Sequence, residues 1–289
     1  MVDWQTVAQS VAGGLLLGGV YALVALGLNL IFGVMKVINF AHGTFMMLGM
    51  YASYWLFTLY GIDPYPGILL VAPLFLLLGV LVERVVVSRI LDAPEHDQLL
   101  VTLGVSLFLQ NLALALFKAD PRSIRPLYAD WSFSVGGVVL SAPRLGAFLA
   151  ALALAGLFFW LLRSTDLGKA MRAAAEEREG AILVGIDVRW IYALAFGIGT
   201  ALVAVAGSIV LPFFTVSPSV GETFLLMAFI TVVLGGLGSF PGALIGGLLI
   251  GLVEGLGALL PGSLRQLPVF ILFVLSLLVR PQGLLGSRQ

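Results

Sequence analysis

The sequence predicts an all-α protein that crosses a membrane eight to nine times, with discontinuous helices inside the spans. Three observations predict it. The chain of 289 residues is 60% hydrophobic and only 10% charged, with a mean hydropathy of +1.10. A soluble domain carries roughly 25% charged residues, and a soluble fold of this size would leave many apolar residues with no interior to enter. Several stretches exceed the ~18 apolar residues that mark a spanning helix. Lipid offers no partner for a backbone N–H or C=O, so these runs satisfy themselves as helices. They are too long and too uniformly apolar for barrel strands.

Nine spans are expected, at 11–34, 38–59, 65–83, 98–117, 143–162, 191–213, 222–239, 241–260 and 267–280. The competing count is eight with one re-entrant segment. The start has Asp3 and no Lys or Arg before the first apolar run, unlike a cleaved signal peptide. Residues 11–34 therefore read as a retained span. All 289 residues read as a single transmembrane domain.

The first two runs meet at Gly33-Val-Met-Lys-Val-Ile-Asn-Phe-Ala-His-Gly43, too short and too apolar for an ordinary loop. Glycines flank Lys36, Asn39 and His42, the pattern of a broken helix. Such backbone is tolerated at membrane depth only under protein or beside a water-filled cavity. A second break is expected at Gly235-Gly-Leu-Gly-Ser-Phe-Pro-Gly242. Paired breaks in corresponding halves point to a transport site between inverted repeats, and spans 1–4 and 6–9 run in opposite directions as such a repeat requires. Asn39, His42 and Gly43 of the first break, Asn29 just before it and Ser239 of the second are the candidate path or gate residues. Packing is the competing role for each, and the stronger one for Asn29. Gln110 and Asn111 read as interhelical hydrogen-bonding groups. Glu254 reads as a neutral donor or the partner of a cation, and Glu222 sits at an outer edge. Gly247, Gly251 and Gly255 form a small-residue ridge for close helix contact, within the subunit or against a second one.

Two polar segments interrupt the apolar chain. Residues 118–142 hold Pro121, Pro126 and the alternating Trp131-Ser-Phe-Ser-Val, compatible with a hairpin, a short helix or a plain connector. Residues 163–189 hold ten of the chain's 30 charged side chains in 27 positions. Five of those ten are Lys or Arg, which places this island in the cytoplasm. Alternation then puts ten basic residues inside, Lys36, Arg84, Arg89, Arg280 and Arg288 among them, and five outside. Within the island a helix is expected over about 167–183. Ser164, Thr165 and Asp166 are good starting residues, because their oxygens accept free backbone N–H groups. Met171, Ala174, Ala175 and Ile182 share one face, Arg172 and Glu176 pair on another, and Gly180 and Gly185 allow the turn back to the membrane.

No enzyme is legible. His42 and His96 are far apart, which excludes zinc-hydrolase spacing, and no Ser-His-Asp set assembles. Gly168-Lys169 lacks the remaining parts of a phosphate loop. No cofactor is expected on this chain. Zero net charge gives no reason to expect nucleic acid, and the absence of cysteine excludes disulfides and thiol chemistry.

The island also resembles the cytoplasmic loop of permease subunits of bacterial ATP-binding-cassette importers. Glu179-Gly-Ala-Ile-Leu-Val-Gly185 matches the start of their Glu-Ala-Ala-x-x-x-Gly signature, with Gly180 in place of Ala. The rest of that signature is not at its usual spacing. The narrower resemblance is to the branched-chain amino acid permease family, carried by Leu26 to Gly43 with its Asn-Phe-Ala-His-Gly run, by Phe45-Met-Met-Leu-Gly49 and by Val233 to Gly247. The length is similar to the shorter of that family's two permeases. The resemblance implies a bacterial inner-membrane importer of branched-chain or other apolar amino acids. It implies a second permease, two cytoplasmic ATPases that bind the ATP, and an extracytoplasmic binding protein. It also implies that 166–187 holds the ATPase-coupling helix, with Arg172, Glu176, Glu177, Arg178, Glu179, Gly180 and Gly185 as coupling residues. Relatives that carry amides or urea, and a self-contained carrier or channel for a small polar solute, are the alternatives.

Overall fold

The computed structural model describes residues 3–286, so Arg288 of the charge count lies outside the described residues. Helices stand near all nine expected spans: α1 (Trp4–Met35), α2 (His42–Tyr60), α3 (Pro64–Val85), α4 (Glu95–Phe117), α5 (Ala142–Ser164), α8 (Val188–Val210), α9 (Val220–Gly235), α10 (Phe240–Gly257) and α11 (Leu267–Val279). Two short helices of the island lie between α5 and α8: α6 (Asp166–Glu176) and α7 (Arg178–Leu183). Six helices, α1, α3, α4, α5, α8 and α10, are long and apolar enough to cross a membrane, while α9 and α11 are apolar but shorter. The chain is thus a nearly all-α, multi-pass membrane protein. Its first helix begins seven residues before the expected span, at Trp4.

Local chemistry sets the helix ends. Asp63 accepts the Tyr65 N–H ahead of α3, Asp187 the Trp190 N–H ahead of α8, and Ser239 Oγ the Gly242 N–H ahead of α10. At the far end of α2, Gly61 adopts a left-handed φ of 67° and closes the last turn.

The central pair is α1 and α8, with 83% and 78% of their spans buried, against 11% for α4. Glycines let the backbones meet. A Cβ on Gly27 would lie 2.7 Å from the Gly199 carbonyl oxygen, and one on Gly199 equally close to that of Gly27. The expected ridge of Gly247, Gly251 and Gly255 packs inside the subunit, against Gly14, Gly18 and Ala22 of α1. The packing is reciprocal. Helix α1 lies on α10 as α8 lies on α3, α2 meets α8 as α9 meets α1, and α2 meets α9 where Gly43 faces Gly221.

The segment 118–141 contains a hairpin, β1 (Ser132–Val135) with β2 (Val138–Ser141), turned at Gly136-Gly137. Gln9 of α1 bonds both the N–H and the C=O of Val139, and Arg122 pairs with Val216 through both backbone groups. Hairpin and island therefore lie at opposite ends of the bundle.

Candidate coupling and translocation site

The first break runs from Lys36 to Ala41. Lys36 ends α1 at φ 57°, a left-handed conformation that costs a non-glycine residue about 1–2 kcal/mol. Asn39 Oδ1 accepts the Ala41 N–H at 3.0 Å. From α4, Thr102 Oγ1 donates to the Ile38 carbonyl at 3.1 Å and accepts the Phe40 N–H at 3.3 Å. The second break, 236–239, has Gly236 and Gly238 at φ 107° and 81°. Asn29 closes it: Nδ2 donates to the Ser239 carbonyl at 2.7 Å and Oδ1 accepts the Gly238 N–H at 2.6 Å. The C-terminal segment adds two more bonds, from the Leu284 and Leu285 N–H groups to the carbonyls of Leu234 and Gly235. Irregular backbone inside the bundle is thus satisfied by side chains and chain from other elements, as burial demands.

Of the candidate path residues, Asn29, Asn39 and His42 are fully buried and Gly43 is buried, while Ser239 is half-buried. His42 Nε2 lies 2.9 Å from the Val24 carbonyl, and its ring edge faces Gly27 at the α1–α8 crossing. Asn39 Nδ2 and His42 Nδ1 have no hydrogen-bond partner among the described residues. In this conformation the His42 ring faces α1, while Asn39 bonds within its own break.

The island differs from the single helix expected. It divides at Glu177, which is extended at φ −147° and ψ 104°. Gly180 lies inside α7, and only Gly185, at φ 87°, supplies a left-handed turn. Because the break resets the helical phase, Ile182 does not join the buried face of Met171 and Ala174; it is exposed beside Leu183 and Val184. Arg172 does not pair with Glu176. Its guanidinium donates to the Leu162 carbonyl at the end of α5, bracing α6 against that helix. Thr165 caps α6 by accepting the Gly168 N–H at 3.1 Å.

The bundle brings island and breaks together. A cavity of about 450 Å³ is lined by Arg172 and Glu176 of α6, by Lys36 of the first break and by Gly238 and Ser239 of the second. A second cavity of about 810 Å³ lies beside α7, between Arg178, Asp92, Arg84 and Trp190. There Arg178 donates to Asp92 at 2.8 Å, a bond that raises the guanidinium pKa above its ordinary value. Glu179 is exposed beside it.

Two features escaped sequence reasoning. The Arg178–Asp92 pair joins residues 86 apart and leaves no local signal. The other is a polar stripe on α4: Gln98, Thr102, Ser106 and Gln110, each four residues on, with only Gly104 and apolar residues between them. That spacing was available in the sequence. At the hairpin end, Glu254 accepts from Tyr21 Oη at 2.7 Å and lies 3.4 Å from Arg265, while Gln110 donates to Glu222 at 2.8 Å and Asn111 bonds its own helix.

Comparison with known proteins agrees with this architecture. The family model described as the permease component of branched-chain amino acid transport systems matches residues 10–279. The chain is 36% identical to the high-affinity branched-chain amino acid transport system permease protein BraD of Pseudomonas aeruginosa, over 97% of this chain and 96% of the relative. The corresponding protein LivH of Escherichia coli K12 is also 36% identical, at the same coverage. A probable LivH from Methanocaldococcus jannaschii is 30% identical over 95% and 91%. No solved structure matches. The chain belongs to the family of branched-chain amino acid transport system permease components.

Proposed function

We propose that this chain is one permease half of an ATP-binding-cassette importer that carries branched-chain or other apolar amino acids across a bacterial inner membrane. A second permease completes the path, two cytoplasmic ATPases bind and hydrolyse ATP, and an extracytoplasmic protein delivers the substrate. One observation carries the reading: the amphipathic α6 shares a cavity with both helix breaks. A push on α6 reaches both breaks, where the backbone bonding between α1 and α2 and between α9 and α10 is interrupted. The reciprocal packing of α1–α3 and α8–α10 supports an inverted repeat that rocks about the Gly27–Gly199 crossing. In that motion α6 and α7 follow the ATPases as they close, and the breaks absorb the change in backbone angle. Asn39, His42 and Gly43 move with the first break and gate the path.

Co-purification tests this. The ATPases should accompany the wild-type chain and be lost when 172–180 is replaced by a Gly/Ser linker. Ion-driven uptake by the chain alone in vesicles would overturn the assignment. With the complete set of subunits in vesicles, His42→Ala and Asn39→Ala should slow leucine uptake with assembly intact. Normal uptake would remove them from the gate.

A further inference from the structure

The most weakly packed long helix, α4, is also the one held by the most regular polar contacts. Apolar side chains gain nothing from leaving lipid for another helix, so polar bonds and close packing decide where such a helix sits. The stripe on α4 provides those bonds along its whole length. Gln98 Nε2 donates to the Leu91 and Ala93 carbonyls, at 3.2 and 2.9 Å. Thr102 holds Ile38 and Phe40 of the first break. Ser106 Oγ and Thr44 Oγ1 share a hydrogen bond at 2.6 Å, and Gln110 bonds Glu222 at the start of α9. Gln98 thus fastens α4 to the loop that carries Asp92, and Asp92 is held by Arg178 of α7.

We infer that α4 is the arm that carries movement of α7 to the first helix break, with Asp92 and Gln98 as positioning residues at its water-facing end and Thr102 at its working end. The inference rests on the reading of the island as the ATPase-coupling segment. It gives α7 a role separate from α6: α6 acts on the cavity between the breaks, and α7 acts through α4. The Arg178–Asp92 pair is largely exposed, with side chains 48% and 83% accessible. Such pairs contribute about 0.2–1 kcal/mol, which corresponds to roughly a 1.4- to fivefold effect on coupling.

The test uses the full importer reconstituted in vesicles with its binding protein and leucine as the probe, reading leucine taken up per ATP hydrolysed. Asp92→Arg and Arg178→Asp should each lower that ratio by about 1.4- to fivefold, with the ATPases still bound at wild-type ratio. The exchanged double variant should recover most of the loss. Thr102→Val should lower the ratio too, and combining it with Asp92→Ala should do no more harm than the worse single change. Sites this far apart otherwise act independently. Wild-type ratios in the single variants, no recovery in the exchange, or multiplied effects in the Asp92→Ala, Thr102→Val pair would each overturn the arm. Loss of the ATPases from the single variants would also overturn it, by making the pair part of the docking surface. Failure of the wild-type chain to bind any ATPase is a different result and refutes the proposed function instead.

Discussion

Replacing Asn29 by Leu tests how the second break is held. Asn29 is fully buried, and its amide makes two short hydrogen bonds, to the Ser239 carbonyl at 2.7 Å and from the Gly238 N–H at 2.6 Å. Leu has the same branching but bulkier methyl groups, so it leaves no cavity, and the loss combines unpaired backbone groups with some overpacking. Each backbone group left unpaired costs about 1–3 kcal/mol. The neighbouring cavity reaches Gly238 and Ser239, so water can recover part of that. A net loss of about 2–4 kcal/mol follows, or roughly 4–16 °C in melting temperature at the ~2–4 °C per kcal/mol of a large domain. The assay is thermal loss of the monodisperse complex in detergent, with leucine uptake in vesicles alongside. Asn29→Asp should be no better: it keeps an acceptor for Gly238 but turns a charged oxygen toward the Ser239 carbonyl. If Asn29→Leu melts within about 1 °C of wild type, the break does not depend on this clamp.

Two further changes probe other contacts. Gly27→Ala places a methyl 2.7 Å from the Gly199 carbonyl oxygen, so it should cost about 1–3 kcal/mol and lower the yield of assembled complex, whereas Gly156→Ala, with open space around it, should be silent in the same assay. Glu254→Leu should destabilise by about 1–3 kcal/mol by leaving the Tyr21 hydroxyl unpaired, and less when Tyr21→Phe is already present, so a double-mutant melting cycle that shows simple additivity would refute the pairing.

Much of this architecture is written in local sequence. Runs of apolar residues placed the helices to within a few residues, except at the start of α1. Flanking glycines and polar residues in a short apolar connection marked the first break, whose left-handed residue is Lys36, and the glycines of 235–242 marked the second. The four-residue glycine spacing announced close packing, although it could not name α1 as the partner. The island's internal break was not legible. Glu177 is neither Gly nor Pro, and its extended backbone reflects where α6 is braced by Arg172 and where α7 is tied by Arg178. Those are tertiary contacts to Leu162 and Asp92, with no signature in the residues around them. His42 shows the same limit from the other side. A histidine in a break suggests a path, but whether its ring meets water or the Val24 carbonyl depends on how α1 crosses α8.

The two ends of the bundle are built for different mechanical tasks. At the hairpin end, two contacts far apart in sequence are doubled: Gln9 grips both groups of Val139, and Arg122 and Val216 exchange two backbone bonds, while Asp63 adds a single long-range bond from Tyr128. Moving one strand of contact there breaks two bonds at once. At the island end both helix breaks occur, beside cavities of about 450, 660 and 810 Å³; the hairpin end has a cavity of about 510 Å³ beside Gln9, Tyr21 and Glu254, so the breaks are what set the two ends apart. Cavities remove packing partners, and broken helices remove backbone bonds that would resist bending. A force applied at the island therefore meets less resistance locally than at the far end. At the centre, where Gly27 meets Gly199 and Gly43 meets Gly221, the helix backbones meet directly, with the side chains of His42, Ile31 and Leu225 packed beside them. Under the proposed coupling, a push at the island would tilt whole helices, because the breaks yield at that end while the doubled contacts hold the hairpin end.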